Sequence, residues 1–243
     1  ERELERRLRH AQRISDIGQT IMGVSHHLKN ILSGLRGSSM LMERGLETGD
    51  LCRVRELWPV FQRNTERMSR LADEMLNYAR LQRLELAPVD PGELSGEVLE
   101  NQRSLAEQRR VSLEAELAEP LPRLLCDRNR MYDALLNLVC NAVDACDDVG
   151  GGRVGIQVRY LEQERQIEIC VHDNGRGIDE ETLARIFNPF FTTKGSKGTG
   201  LGLAVVQKTV HEHGGRIEVT SRPGRTCFTM WIPVDGRPGG KEE

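Results

Sequence analysis

Apolar residues in the first third of the chain recur at alternating spacings of three and four, the pattern of a helix with one buried seam. This predicts a helix over residues 1–48 and a second helix from Asp50, its expected N-cap, to about Leu86. The seams contain Ile14, Ile17, Ile21, Val24, Leu28, Ile31, Leu35, Ser38 and Met42, and then Leu57, Phe61, Asn64, Met68, Leu71, Met75 and Tyr78. Pro59 predicts a kink or a later helix start. Because two antiparallel helices with such narrow seams bury little surface, we expect a homodimeric four-helix bundle.

The rest of the chain alternates between helix and strand patterns after residues 87–93, whose prolines and glycine predict a hinge linker. Helices are predicted over 94–109, 127–147 and 201–213, and strands over 111–117, 153–161, 166–173, 216–221 and 227–234. This order predicts an α+β fold, in which a helical hairpin is followed by an α/β sandwich with helices on one face of a mixed sheet. The predicted domains are therefore 1–86 and 94–235, with a disordered tail at 236–243.

The charge balance excludes one class of partner. A net charge of -3 with 29% charged residues lacks the basic excess that is typical of nucleic-acid binding.

The six cysteines form no C-x-x-C pair and mostly have apolar neighbours, so we expect reduced, buried thiols in a cytoplasmic protein. No apolar run is long enough for a membrane segment. Because the chain begins within a helical pattern, we expect an upstream sensor region, and the full-length protein could be membrane-anchored.

Glycines are concentrated between Asp173 and Leu203, where D-N-G-R-G-I, F-N-P-F-F-T-T-K and G-T-G-L-G-L follow one another. The first motif ends a predicted strand, and the last leads into a predicted helix. Backbone without Cβ atoms can approach a ligand closely, and a glycine-rich loop at a helix start points N–H groups at an anion. The stretch therefore predicts a site for the phosphates of a nucleotide.

The helix predicted upstream of this stretch carries Asn137 and Asn141 one turn apart, so the two amides share a face. An amide oxygen, phosphate oxygens and water are together a usual set of Mg²⁺ ligands. Beside the glycine motifs, these asparagines indicate a Mg²⁺–nucleotide site rather than two solvated surface residues.

These motifs resemble, in order, the N, G1, F and G2 boxes of the transmitter region of two-component sensor histidine kinases. The segment V-S-H-H-L-K-N at 24–30 resembles the H box of the same family, so the resemblance covers nearly the whole chain. It implies a dimerisation and histidine-phosphotransfer hairpin followed by a Bergerat-type ATP-binding domain. It also implies ATP and Mg²⁺ as cofactors and the receiver domain of a response regulator as the partner.

The resemblance implies roles for individual residues of the ATP site. Asn141 would bind Mg²⁺ beside Asn137, Asp173 would accept a hydrogen bond from the adenine amino group, and Gly175 and Gly177 would shape the pocket floor. Residues 177–198 would form a mobile lid, with Phe187, Phe190 and Phe191 as its docking handle. The remaining contacts would come from Lys194, Gly198, Thr199, Gly200, Leu201, Gly202 and Thr226, although strand packing explains Thr226 equally well.

The predicted nucleophile is His26, which the seam places on the outer face of the first helix with Asn30 one turn later. The resemblance implies that His26 accepts the phosphoryl group, with His27 as a minor alternative, and that Asn30 orients a water for dephosphorylation of the partner. His27 stands where the family usually has an acid, and Ile31 where it has a proline. The usual acid accepts the Nδ1 proton of the phosphoacceptor, and a neutral His27 can do the same. Because an imidazole with a pKa of about 6.5 no longer accepts a proton below that pH, we expect autophosphorylation to fall on acidification.

One position separates a kinase from a hydrolase. Relatives in the wider superfamily that hydrolyse ATP with water carry glutamate where this chain has Asn137, and an amide cannot act as a general base. Two other functions stay open, a transmitter that works mainly as a phosphatase through Asn30 and a non-catalytic dimeric scaffold that binds ATP. The intact nucleotide motifs argue against the scaffold.

Overall fold

The computed structural model describes residues 28–79, 84–147, 149–195 and 198–236. The chain divides into two compact units, one formed by residues 1–80 with 188–201 and the other by residues 81–187 with 202–243. No helix of the described residues is long and apolar enough to span a lipid bilayer. The first 27 residues of the helix predicted over 1–48, and most of the predicted tail, residues 237–243, lie outside the described residues.

The first unit contains a helical hairpin, formed by α1 over residues 28–48 and α2 over Leu51–Ala79. The helices are antiparallel because Gly45 lies beside Val54 while Gly34 lies beside Asn64. Asp50 caps α2 as predicted, since its Oδ1 accepts a hydrogen bond from the N–H of Arg53 at 3.1 Å. The predicted later start at Pro59 is wrong, because the cap and the Gly45 contact hold the turns that precede the proline.

The seam predicted from spacing is the buried face of the hairpin. Ser38 on α1 and Asn64 and Leu71 on α2 are buried, and the other described seam side chains are half-buried wherever their exposure is known. The helices approach closely at Gly34, where an added Cβ would lie 3.0 Å from Nδ2 of Asn64. Large apolar side chains on the other faces remain exposed, namely Leu32, Met40, Leu41, Leu46, Leu51 and Trp58. One hairpin therefore buries only part of its apolar surface.

The second unit is built on a five-stranded mixed sheet in the order β2-β4-β5-β7-β6, in which β2 and β4 are parallel and the other pairs are antiparallel. Its strands are β2 (Val111–Ala118), β4 (Gly152–Leu161), β5 (Gln166–Asp173), β6 (Arg216–Arg222) and β7 (Arg225–Pro233). The helices of this unit are α3 (Pro91–Gln108), α4 (Arg128–Ala145), the short α5 (Glu180–Leu183) and α6 (Gly202–Glu212). This architecture confirms the predicted fold class of a helical hairpin followed by an α/β sandwich.

Residues 87–93 form regular structure where the sequence predicted a hinge linker. β1 (Leu86–Val89) pairs antiparallel with β3 (Leu124–Asp127) in a separate two-stranded sheet, and α3 begins at Pro91. Asp90 caps α3 by accepting the N–H groups of Gly92 and Glu93 at 2.8 and 3.0 Å, and proline suits the first helical position. The second predicted helix consequently does not reach Leu86, because that residue pairs with a strand far along the chain.

The core of the second unit lies between the main sheet and the helices α3, α4 and α6. Its fully buried side chains include Leu94, Val98, Leu135, Leu138, Val139, Ile156, Ile167, Ile169, Val206, Val210, Met230 and Ile232. Each large apolar side chain buried in this way contributes about 1.5–3 kcal/mol. Leu138 and Val139 of α4 are buried in the core, whereas Asn137 and Asn141 lie on another face of the helix and are partly exposed.

The cysteines depart in part from the prediction. Cys126 and Cys146 are buried free thiols, and burial raises the pKa of Cys126 to about 12. Cys52 is free but exposed, and Cys170 and Cys227 form a disulfide, so the prediction of reduced thiols is wrong for that pair. The register of β5 and β7 explains the pairing, since Cys227 lies opposite the residue two positions after Cys170 and the two share a face of the sheet.

Candidate functional site

Helix α4 presents the predicted asparagines from a firmly capped start. Its N-cap, Asp127, accepts the N–H of Arg130 on Oδ1 at 3.2 Å. Nδ2 of Asn137 donates to the carbonyl oxygen of Asp133 at 3.0 Å, and an added Cβ on Gly202 would lie 3.0 Å from Oδ1 of Asn137. The start of α6 therefore packs directly beside Asn137.

Asp173 ends β5 with a carboxylate that is almost entirely buried, since the residue is only 5% exposed. Burial raises the pKa of Asp173 to about 6, although the N–H of Gly175, which donates to its Oδ1 at 2.8 Å, acts in the opposite direction. Thr226 on β7 lies directly opposite Asp173 in the sheet. A desolvated carboxylate forms strong hydrogen bonds, so the strand end is suited to accept an N–H group of a ligand.

The loop after Asp173 is held between α4 and the turn that joins β6 and β7. An added Cβ on Gly175 would lie 2.5 Å from the carbonyl oxygen of Ala145, and the N–H of Arg176 donates to that same oxygen at 3.2 Å. Gly177 has φ of +77°, and its added Cβ would lie 2.7 Å from the backbone of Arg222. Both glycines are thus required by close backbone approach.

Two residues that the sequence analysis did not single out, Ser221 and Asn174, fix this loop. Thr226 is 2% exposed, and its hydroxyl lies 2.9 Å from that of Ser221. The Ser221 hydroxyl in turn accepts the N–H of Ile178 at 2.8 Å, and Oδ1 of Asn174 accepts the N–H of Arg153 at 2.6 Å. The position of Asn174 inside D-N-G-R-G could have drawn attention to that residue. Ser221 gave no such signal, because a serine in a strand belongs to no motif or periodic pattern.

Residues 188–201, which belong to the first unit, fold back on themselves. The N–H of Phe190 donates to the carbonyl oxygen of Gly200 at 2.8 Å, and an added Cβ on Gly200 would lie 2.4 Å from the carbonyl carbon of Phe190. Gly198 is packed against Thr192 in the same way, and the Thr192 hydroxyl accepts the N–H of Lys194 at 3.1 Å. The glycine motif and the preceding F-F-T-T-K motif therefore form one folded segment.

Leu201 closes this segment as a fully buried side chain whose N–H donates to the hydroxyl of Thr199 at 3.4 Å. Phe187, predicted as part of a docking handle, lies in the second unit and packs edge to face on Phe228 of β7, with 6.4 Å between ring centroids. The second unit thus brings Asn137 and Gly202 together at one point and groups Asp173 with Gly175, Gly177 and Thr226 at another. Lys194, Gly198, Thr199, Gly200 and Leu201 lie in the first unit.

The predicted nucleophile and its neighbour, His26 and His27, lie outside the described residues. Asn30 is exposed on α1. Over the described part of the chain, no group of three or more His, Cys, Asp and Glu side chains could hold a metal ion. The side chains that fit a cation bound to phosphate are instead the amides of Asn137 and Asn141, whose oxygens are neutral ligands.

Two family models match the chain. Residues 126–236 match the model described as "Histidine kinase-, DNA gyrase B-, and HSP90-like ATPase", and residues 16–84 match the "His Kinase A (phospho-acceptor) domain". The first match contains Asp173 and the glycine motifs, and the second contains His26. The ATPase match implies that the second half of the chain binds ATP.

Curated relatives match along almost the whole chain. The chain is 33% identical to the sensor histidine kinase ZraS of Escherichia coli K12 over 234 residues, which are 96% of this chain and 49% of that protein. It is 30% identical to the sensory histidine kinase/phosphatase NtrB of Rhizobium meliloti over 256 residues, which cover 99% of this chain and 64% of that protein. The chain spans about half the length of the first of these relatives.

Solved structures of histidine kinases also match the chain. The catalytic domain of the histidine kinase ThkA matches with a TM-score of 0.57 and 31% identity, covering 63% of this chain and 99% of that one. ThkA in complex with the response regulator protein TrrA matches with a TM-score of 0.73 and 26% identity, covering 96% of this chain and 66% of that one.

Proposed function

The chain belongs to the histidine kinases, and from this premise we propose that it is the transmitter region of a sensor kinase that phosphorylates its own His26 with ATP. One observation carries the proposal: a buried carboxylate, Asp173, ends a strand beside a clamped glycine loop. The same chain carries a matched phosphoacceptor domain that contains His26. The phosphoryl group then passes to an aspartate on the receiver domain of a response regulator.

Asp173 selects the base of the nucleotide in this proposal by accepting a hydrogen bond from the adenine amino group. Its burial supports the role, because removal of water strengthens a hydrogen bond to a charged acceptor. Asn137 and Asn141 supply amide oxygens beside the phosphates, where a bound Mg²⁺ would neutralise phosphate charge. Gly198, Gly200 and Gly202 would contribute backbone N–H groups and Lys194 a positive charge, with Thr199, Leu201 and Thr226 as further contacts.

The chemistry requires a nucleophile that reaches the γ-phosphorus in line with the leaving oxygen. One ring nitrogen of His26 forms the new N–P bond, the bond from the γ-phosphorus to the bridging oxygen breaks, and ADP leaves with the electron pair. The other ring nitrogen carries the proton, for which a neutral His27 is the proposed acceptor. Because Asn137 provides no general base for water, ATP stays intact until His26 arrives.

The hairpin supports a homodimer as the acting form. Leu32, Leu46 and Trp58 are at least 49% exposed in the single chain, and a second hairpin would cover such surface in a four-helix bundle. The proposed boundary lies before β1, because Leu86 pairs with β3 and α3 begins at Pro91. The residues before β1 would serve dimerisation and phosphotransfer, and those from β1 to residue 235 would serve ATP binding. A location in the cytoplasm completes the proposal.

A second function, dephosphorylation of the partner, is favoured by one position. Asn30 is exposed on α1, where its amide can orient a water molecule, and the NtrB relative is named as both kinase and phosphatase. Both activities would use the same docked receiver domain, so they are competing outputs of one site.

The test is incubation of the purified chain with γ-labelled ATP and Mg²⁺, with His26→Gln and His27→Gln as matched variants. We expect acid-labile label on the wild-type chain, none on His26→Gln and less on His27→Gln. Label that persists in His26→Gln would contradict the assignment of the nucleophile. Nucleotide binding without any label on the wild-type chain would contradict the kinase and favour the phosphatase or the scaffold.

A further inference from the structure

His213 is a fully buried histidine that the proposed chemistry does not use. It lies one residue beyond the end of α6, and both of its ring nitrogens are hydrogen-bonded. Nε2 accepts the backbone N–H of Asp127 at 2.9 Å, and Nδ1 lies 2.7 Å from the carbonyl oxygen of Thr209. Because a backbone N–H can only donate, Nε2 carries no proton and the ring is the neutral Nδ1–H tautomer.

The partner of His213, Asp127, is a junction of several elements. It is the last residue of β3 and the N-cap of α4. Its carboxylate accepts the N–H of Arg130 on Oδ1 and the N–H of Glu85, beside β1, on Oδ2, each at 3.2 Å. The residue is only 8% exposed. His213 therefore holds the backbone at the point from which α4 starts.

The same two helices meet again at the candidate site. Asn137 lies ten residues into α4 from Asp127, and Gly202 lies eleven residues back along α6 from His213. At a rise of about 1.5 Å per residue, these two spans have nearly equal lengths of about 15 and 16 Å. Gly202 lies beside Asn137, and His213 accepts the N–H of Asp127. The antiparallel helices α4 and α6 are therefore hydrogen-bonded at one point and closely packed at another.

We propose that His213 is a positioning residue for nucleotide binding, because its bond to Asp127 sets the register of α6 along α4 and thereby the place of Gly202 beside Asn137. This inference rests on the proposed function, in which both residues contact the phosphates. A rigid helix transmits a shift at one end to the other, so a slip at Asp127 reappears at Gly202.

A purely space-filling role for His213 does not account for these bonds. The imidazole ring lies near three charged side chains, those of Asp127 at the N-cap of α4, Arg130 on α4 and Glu212 on α6. Arg130 and Glu212 form an ion pair that also bridges the helices, at the rim rather than in the core. This surface pair offers a matched control, because Glu212→Gln weakens a link between α4 and α6 without touching the bond to Asp127.

The test compares two amide replacements of the ring in the full chain. In His213→Gln the longer side chain can place its amide oxygen where Nε2 accepts the Asp127 N–H. In His213→Asn the shorter side chain keeps only a donor near the carbonyl oxygen of Thr209. We expect His213→Asn to bind a non-hydrolysable ATP analogue with Mg²⁺ about tenfold more weakly and to speed hydrogen exchange at the Asp127 amide at least tenfold. His213→Gln and Glu212→Gln should stay within about threefold of the wild-type chain.

A measurement on the wild-type chain keeps the inference testable if His213→Asn does not fold. Coupling between two sites is reciprocal, so saturation with the analogue should slow exchange of the Asp127 amide about tenfold. Unchanged exchange on saturation would overturn the inference, and so would equal loss of affinity in His213→Asn and His213→Gln. Absence of analogue binding by the wild-type chain would overturn the proposed function. The exchange rates of the Asp127 amide in the free wild-type and His213→Asn chains separate that failure from failure of the inference, because they test the His213 bond without any nucleotide.

Discussion

The two units of this chain differ in how completely they bury their own apolar surface. In the sandwich, Ile167, Ile169 and Met230 are entirely buried between the sheet and its helices. In the hairpin, Leu46 is 61% exposed and Trp58 49% exposed. Both units arise from regular apolar patterns. They differ because the sheet and three helices of the sandwich cover one another's apolar faces, whereas each helix of the hairpin has only one partner helix.

This difference assigns a different mechanical role to each unit. The sandwich completes its core within one chain, which suits a site where Asp173 must stay dry and Gly175 must stay in close contact with Ala145. The hairpin covers one seam, and that seam contains the polar residues Ser38 and Asn64. Polar seam residues fix register at some expense of stability. The hairpin therefore depends on a second surface to cover its apolar residues, and the sandwich, which holds Asp173, does not.

The largest expected effect separates a closed core from an open one. Ile169→Ala removes a fully buried side chain and should lower the free energy of unfolding of the sandwich by about 2–5 kcal/mol. Leu46→Ala in the hairpin should change the monomer by less than about 0.5 kcal/mol, because that side chain is exposed. The two tryptophans report each unit separately in urea unfolding, since Trp58 lies on α2 and Trp231 on β7. Equal losses in both variants would contradict the comparison.

The next effect concerns association of the hairpin. Leu46→Glu places a charge on exposed apolar surface and should raise the dissociation constant of the dimer about thirtyfold, or about 2 kcal/mol, as measured by sedimentation. Leu117→Glu on β2 is the matched control, because Leu117 is also exposed, at 42%, but belongs to the closed sandwich. A dimer that survives Leu46→Glu and dissociates with Leu117→Glu would place the interface on the sandwich and contradict this prediction.

The smallest effect is a pH dependence that belongs to the sandwich alone. Burial raises the pKa of Asp173 to about 6, so the carboxylate is ionised above that pH and protonated below it. A protonated carboxyl is a weaker acceptor, and affinity for an ATP analogue should fall about tenfold between pH 7.5 and 5. Asp173→Asn is the control, because any slope that remains in this variant comes from groups other than the Asp173 carboxylate, such as the nucleotide phosphates. Identical slopes in the two proteins would exclude Asp173 as the titrating contact.

The sequence predicted what depends on local spacing. The seam positions Ser38, Asn64 and Leu71 were placed correctly because helical periodicity repeats within the segment itself. Glycines directly after a strand likewise indicated tightly approached backbone at Gly175 and Gly177, but the neighbours in the structure are Ala145 and Arg222, whereas the sequence predicted an approach to a ligand. The seam spacing and the glycine pattern need no information from distant residues.

The features that the sequence did not reveal depend on pairing between distant residues. Residues 87–93 read as a linker because the partner of β1, β3, lies more than thirty residues further along the chain. The hydroxyl of Ser221 and the ring of His213 have meaning only once Thr226 and Asp127 lie beside them. The disulfide partner of Cys170 is likewise set by the register of β5 and β7.

The central claim is that Asp173 of the sandwich binds the nucleotide, while His26, which precedes α1 in the sequence, acts only as the nucleophile. Calorimetric titration of a non-hydrolysable ATP analogue with Mg²⁺ into His26→Gln and Asp173→Asn tests this claim most directly. The account predicts that His26→Gln binds within about twofold of the wild-type chain, and that Asp173→Asn binds at least about thirtyfold more weakly because it loses a charged, desolvated acceptor. Wild-type affinity in Asp173→Asn, or loss of binding in His26→Gln, would contradict it.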